Sequence, residues 1–180
     1  ADVPALYRIF GDAKVMRYWS TPAMTSMAEA EDMATRILEG YEEKAWLQLA
    51  IEKKASPGLI GTCSIFAMHV ASRRAELGYI LDRACWGQGL MAEALDCIVS
   101  YAFDTLGLNR LEADIDPANL ASEKALLRLG FRQEGFMPER WIVGGTLSDS
   151  AVFGLLARDW HARKGHEAMC TDKPHAKGSI

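Results

Sequence analysis

The sequence has little charge bias, no paired cysteines and no long apolar run. Twenty Lys and Arg stand against twenty-four Asp and Glu, a formal net charge of -4 at pH 7. That balance offers no basic stripe for a phosphate backbone, so nucleic acid is not expected as a partner. The longest weakly charged apolar stretch, residues 59–71, falls short of the ~18–20 residues a bilayer span requires. No charged segment followed by an apolar core opens the chain. The expectation is a cytoplasmic protein with no membrane partner. The four cysteines form no C-x-x-C pair and have no ligand-like spacing to histidine, which speaks against a disulfide framework or a zinc site. Three of the four histidines, His161, His166 and His175, sit irregularly near the end, so no metal is expected.

What is present is ordinary core material. Hydrophobic residues make up 49% and charged residues 24% of 180 residues, which suits one globular domain. Residues 1–160 read as that domain, and 161–180 as a polar tail without apolar periodicity, disordered or left over from expression. Asp2-Val3-Pro4 reads as an N-cap followed by a first helical turn, and the helix should stop near Gly11. A second helix is expected at 27–41, where Ala30, Met33, Ala34, Ile37 and Leu38 recur at helical steps. Strand-like runs follow at 46–52, 60–69 and 75–81. The clearest helix begins after Gly89, carries one broad apolar stripe and ends before Gly107. Beyond it come a strand at 110–115, a helix at 120–129 closed by Gly130, and strands at 131–136, 140–143 and 150–156. Gly144-Gly145 marks a hairpin turn between the last two.

One segment carries chemistry. A strand runs into Trp86-Gly87-Gln88-Gly89-Leu90-Met91, and that turn opens directly into the long helix. Such a turn leaves amides unpaired at the positive end of a helix dipole, a place for phosphate. A P-loop is excluded, because Leu90 and Met91 stand where Lys and Ser or Thr are required. The dinucleotide pattern G-x-G-x-x-A fits literally through Gly87, Gly89 and Ala92, with Glu112 or Asp114 for a ribose. Its first glycine, however, lies several residues beyond the strand.

The same turn resembles the pyrophosphate loop of the GNAT superfamily of N-acetyltransferases, Arg/Gln-x-x-Gly-x-Gly/Ala. Gly89 matches the central glycine, while Trp86 and Met91 depart from the outer positions. Asn119-Leu-Ala-Ser122 through Gly130-Phe131 is similar to the superfamily's Asn-led helix, and 75–81 to its fourth strand. Residues 3–19, Glu134-Gly135 and 141–149 resemble the RimJ/RimL-like branch, which acetylates protein N-termini and other amines. Nearly the whole chain is covered in the right order, although the resemblance implies a strand before the first helix that is not seen here. The implied fold is α/β: a mixed, mostly antiparallel twisted sheet flanked by helices, with the cofactor at a splayed strand pair.

The resemblance implies direct transfer of an acetyl group from acetyl-coenzyme A to a primary amine. An N-terminal α-amine of a protein or peptide is the first choice, since its ordinary pKa of about 7.7–8.0 lies well below lysine's ~10.4. A small amine (polyamine or aminoglycoside) and a non-catalytic acyl-coenzyme A sensor are the alternatives, and a homodimer is admitted. Cofactor contacts are expected from Ile80, Leu81, Trp86, Gly87, Gln88, Gly89, Leu90, Met91 and Asn119, Asn119 being otherwise a plain N-cap. The amides of Ile80 and Leu81, at a strand bulge, would meet the oxyanion. Glu76 is the candidate base, or else an ion-paired strand glutamate. Ser122 is the candidate donor to the leaving group, or else braces a helical turn. Leu126 occupies the place where many relatives carry an acidic tyrosine. Tyr18, Trp19, Glu139 and Trp141 would line the acceptor cleft, unless the aromatics are core. Cys85, beside the loop, has no histidine near it in sequence to activate it and is set aside as a nucleophile.

Overall fold

The computed structural model describes residues 2–43 and 46–171. Helices α1 (Val3–Phe10) and α2 (Met27–Glu42) precede strands β1 (Leu47–Lys53), β2 (Ser56–His69) and β3 (Arg74–Leu81). Next come α3 (Leu90–Ser100), β4 (Arg110–Ile115), α4 (Leu120–Leu129), β5 (Arg132–Val143), β6 (Thr146–Leu156) and α5 (Ala157–Thr171). The six strands form one sheet in the order β1-β2-β3-β4-β6-β5. All neighbours are antiparallel except β3 and β4, which run parallel. No described helix is long and apolar enough to cross a membrane.

Two apolar clusters hold the layers. Leu77, Leu95, Val99, Leu111, Leu126 and Phe153 pack one face of the sheet against α3 and α4. Leu6, Ile9, Phe10, Ala30, Leu59 and Ile80 form the second cluster under α1 and α2. Alternation along β3 explains the division: Ala75 and Leu77 enter the first cluster and Ile80 the second, because successive side chains leave a strand on opposite faces. The parallel pair is short. Arg74, Ala75 and Glu76 pair with Arg110, Leu111 and Glu112, while β4 stays paired with β6 as far as Ile115. Beyond Glu76 the two strands part.

Asp2 stands at the N-cap of α1 as expected, with Pro4 in the first turn; its carbonyl accepts the Ala5 and Leu6 amides, and its side chain adds no capping bond. Two expectations are corrected. The strands expected at 131–136 and 140–143 are one strand, β5, interrupted by a bulge. Met137 pairs with Ser150 and Trp141 with Ser148, so the residues between them are extruded around Pro138, which has no amide to donate, and Glu139 at φ +52°.

The polar tail proposed for 161–180 is helical as far as Thr171; residues 172–180 lie outside the described part. Trp160 is buried, the Lys164 ammonium lies 2.6 Å from Asp96 Oδ1 on α3, and Arg163 donates to the Arg128 carbonyl at the end of α4. This helix is docked by the Trp160 ring and by polar and charged side chains that include His161, Arg163 and Lys164, so it carries no apolar stripe to read. Trp160→Ala is expected to cost about 3–5 kcal/mol, as for other large buried aromatics. Urea denaturation checks it, since a solvated tail would give a change below about 0.5 kcal/mol.

Candidate active site

The parting of β3 from β4 exposes main chain. The Asp82 amide donates to the Ile60 carbonyl of β2 at 2.7 Å, and Arg73, on the opposite parity, accepts from Asn109 at 2.6 Å. Antiparallel pairing repeats every second residue, so the Gly78 and Ile80 amides also face β2. The amides of Tyr79 and Leu81 face the gap that β4 has left. The oxyanion expectation is corrected accordingly: the Ile80 amide belongs to the β2 ladder. Nor is there a bulge at 80–81, since the register runs unbroken from Gly61↔Leu81 to Phe66↔Glu76. The irregularity falls after Phe66, where Ala67 has φ +49°.

At the end of β3 a turn over Arg83–Cys85 leads into the glycine loop. The Trp86 amide, expected in the cradle, is spent on the Arg83 carbonyl at 3.2 Å, and its indole Nε1 donates to the Leu81 carbonyl at 2.9 Å. From Gly87 to Ala92 the amides have no acceptor among the described residues; Glu93 is the first to bond, to the Gly89 carbonyl. Gly87 and Gly89 stand at φ +72° and +77°, and a Cβ on either would meet nothing within 4 Å. The glycines are therefore needed for backbone conformation, and the space before the amides is open. Gln88 turns back to brace the loop, donating to the Ala84 carbonyl at 3.0 Å and accepting from Lys53 at 3.1 Å. Ion pairs Arg8–Asp82 (2.7 Å) and Arg83–Asp12 (2.9 Å) tie the loop's entry to α1 and the residues after it.

Two cavities meet at the gap. One, of about 350 Å³, follows the loop past Leu81, Trp86, Gly87, Gly89, Leu90 and Met91, with Lys14 opposite. The other, of about 370 Å³, holds Glu76, Asp114 and Asp116 among aromatic residues that include Trp46, Phe66 and Trp141. Tyr18, Trp19, Tyr79, Asn119 and Ser122 line both. The structure thus brings together the expected Glu76, Ser122, Asn119, Tyr18, Trp19 and Trp141, the last held by its Nε1 donating to Ser150 Oγ at 3.0 Å. Glu139 is left out: it sits exposed on the β5 bulge, lines neither cavity, and gives its amide to Asp149 Oδ1 at 2.8 Å.

Tyr79 escaped the sequence reading. Its hydroxyl lies 2.5 Å from Ser122 Oγ and 3.3 Å from the Ser122 carbonyl. Strand alternation set it opposite Glu76, but nothing local shows that the first turn of α4 lies over this strand. Asn119 does cap α4, its Oδ1 accepting the Ser122 amide at 3.2 Å.

Glu76 is not the ion-paired strand residue its neighbours suggest. Arg74 and Arg110 each hold Glu112 at 2.8 Å, and Arg140 Nε lies 2.9 Å from Asp114, whereas Glu76 has no ion pair among the described residues. Burial, followed by the charges of Glu112 and Asp114, holds its pKa above the usual carboxylate value, with Arg140 and Arg74 opposing. Cys85 lines the loop cavity, and among the described residues no histidine enters either cavity. Burial pushes the Cys63 thiol up to about 12, so it stays protonated.

Residues 1–132 match the family profile described as acetyltransferase (GNAT) domain. The chain belongs to the GNAT acetyltransferase family. It is an N-acetyltransferase whose cosubstrate is acetyl-coenzyme A. This acetyltransferase is 33% identical over 155 residues to the uncharacterized N-acetyltransferase YoaA of Bacillus subtilis, covering 86% of this chain and 88% of the relative. It is 34% identical over 84 residues to the [ribosomal protein uS5]-alanine N-acetyltransferase of Escherichia coli, 47% of this chain and 43% of that one. Its fold superposes on spermidine N-acetyltransferase of Vibrio cholerae in complex with coenzyme A and spermine, with a TM-score of 0.79 and 19% identity over 89% and 92% of the two chains.

The GNAT sheet also disposes of the dinucleotide alternative, because a doubly wound parallel sheet does not form. Gly89→Ala in this acetyltransferase forces an L-residue to a left-handed φ, a strain of ~1–2 kcal/mol. Coenzyme A affinity by calorimetry is expected to fall about tenfold. Gly107→Ala, at a similar φ away from the loop, serves as the control that leaves affinity unchanged.

Proposed function

We propose that the protein acetylates the α-amine of a peptide or protein N-terminus, in the manner of the RimJ/RimL-like branch. The observation that carries this reading is the junction of two cavities at Tyr79, Asn119 and Ser122, with a row of free amides on one side and an unpaired carboxylate on the other. On the first side, the amides of Gly87 to Ala92 hold the diphosphate of coenzyme A at the α3 N-terminus. The Tyr79 and Leu81 amides supply β-type partners to its extended amide-bearing arm, where β4 would otherwise pair. The acyl group then arrives at the junction. Acetyl-coenzyme A supplies the activated thioester.

The acceptor enters from the other cavity. The ammonium first releases one proton to solvent; the freed lone pair then forms the new C–N bond, the C–S bond breaks with its electron pair on sulfur, and the nitrogen's second proton goes to Glu76, directly or through water. The raised pKa of Glu76 suits this task, because it brings the carboxylate closer in basicity to an α-amine. Ser122 offers its hydroxyl to the sulfur. Leu126 offers nothing: it is fully buried in the core.

A second reading rests on Asp116, whose charge is met by the Ala118 amide and the Ser148 hydroxyl and, among the described residues, by no cation. A polyamine could set a second ammonium there, and the spermidine enzyme shares the fold.

An acceptor screen read by thiol release decides between the readings. Ala- and Ser-initiated peptides are expected to exceed spermidine, spermine and aminoglycosides in kcat/KM. A lead for polyamines would favour the second reading, and coenzyme A binding with no turnover would favour a sensor. For Glu76 the sign is direct: the base is the carboxylate, so activity is lost as pH falls through its pKa, and the raised value moves that loss above the ordinary carboxylate range. Glu76→Gln is expected to lower kcat about 10²-fold and remove this acidic limb while leaving coenzyme A affinity within twofold. Unchanged rates across the pH range would remove Glu76 from the role.

A further inference from the structure

We infer that Tyr79 is a positioning residue: its phenol donates to Ser122 Oγ and so turns the Ser122 proton toward the sulfur of the departing coenzyme A. The inference rests on the acetyl-transfer reading above. The phenol's single proton has two acceptors on Ser122, Oγ at 2.5 Å and the carbonyl at 3.3 Å, and we assign it to the nearer. Burial pushes the Tyr79 phenol up to about 12, with Cys63 adding to the effect and Ser122 opposing it, so the phenol keeps its proton at working pH. Ser122 Oγ has no other partner among the described residues, and its amide is spent on Asn119. A hydroxyl that accepts from Tyr79 has its own proton left to give, and the open directions are the two cavities it lines.

Other hydroxyls are poorly placed for this. Thr62 and Ser64 line only the acceptor cavity and are engaged by Gln48 and by the Gly78 carbonyl. Tyr18 lines both cavities and is the rival. In the step itself Tyr79 loses no proton. The C–S electron pair goes to sulfur, the Ser122 hydrogen bond spreads that charge, and the amine's proton, taken first by Glu76, neutralises the thiolate on release.

The test needs no acceptor. Affinities of coenzyme A and of desulfo-coenzyme A, which lacks only the thiol, are compared by calorimetry from about pH 7 to about pH 10, across the ordinary thiol pKa of ~8.5. Cys63, Cys85, Tyr18, Glu76, Asp114, Asp116 and Lys14 are the titratable groups around the pair, and the desulfo reference cancels their contribution. In the wild type, the preference for the thiol ligand is expected to grow about tenfold as pH rises, the equivalent of a one-unit drop in the bound thiol's pKa. Tyr79→Phe and Ser122→Ala should each flatten that growth, the double variant should match Ser122→Ala, and Tyr18→Phe should keep it. A Tyr79→Phe protein that retains the growth overturns the inference, as does a Tyr18→Phe protein that loses it. If Tyr79→Phe does not fold, 3-fluorotyrosine at position 79 alone carries the test, and an unchanged ratio overturns the inference. Failure of the wild type to bind either ligand would sink the acetyltransferase site and this inference with it. Binding of both with no pH-dependent preference sinks this inference alone.

Discussion

The site depends on one departure from regular pairing. After three paired residues β4 leaves β3, and every second amide of β3 loses its partner. In a closed sheet those groups would be satisfied internally, and an unpaired buried amide is costly. Here the cost is met by solvent or by a ligand that can offer alternating donors and acceptors, as the extended arm of coenzyme A does. The same departure opens the wedge that the first turn of α4 fills, bringing Asn119 and Ser122 over Tyr79. Without the splay there would be neither a groove nor a junction of cavities.

Charge is distributed unevenly around that wedge. Three arginines, Arg74, Arg110 and Arg140, are occupied by Glu112, Glu134 and Asp114. Their engagement leaves Glu76 without an ion pair among the described residues, and burial, followed by its like-charged neighbours, holds its proton more firmly than a surface carboxylate's. On the other side of the junction, the unpaired amides at the start of α3 make the loop electropositive without a basic side chain in its motif. The two sides therefore differ in sign: one suits anionic oxygens and the other an amine that arrives as a cation.

Much of this was legible in the chain. The helix at 120–129 and the strand at 110–115 fall where the periodicity places them, because amphipathic repeats and terminal glycines act over a single element. The glycine loop was legible for the same reason, since positive φ at Gly87 and Gly89 is a local property of two residues without a Cβ. Where burial rests on contacts between distant elements, the reading failed. Helix α5 is docked by Trp160 and by Lys164 reaching Asp96, 68 residues away, so it has no repeat to detect. Glu139 was placed in the acceptor cleft by its neighbourhood to Trp141, but a bulge around Pro138 sends the two in different directions.

By itself, then, the sequence determined the order of elements, the backbone shape of the loop and the presence of Glu76, Asn119 and Ser122 on the segments that carry them. Tertiary structure alone decided which of these meet. Tyr79 and Ser122 are 43 residues apart, and their hydrogen bond exists because a parted strand pair admits one helical turn at one depth. Whether Glu76 is paired or bare was settled likewise by where three arginines from β3, β4 and β5 find their carboxylates. Torsional preference and periodicity belong to a few consecutive residues. Contact, burial and the electric field at a carboxylate belong to whatever the folded chain sets beside it.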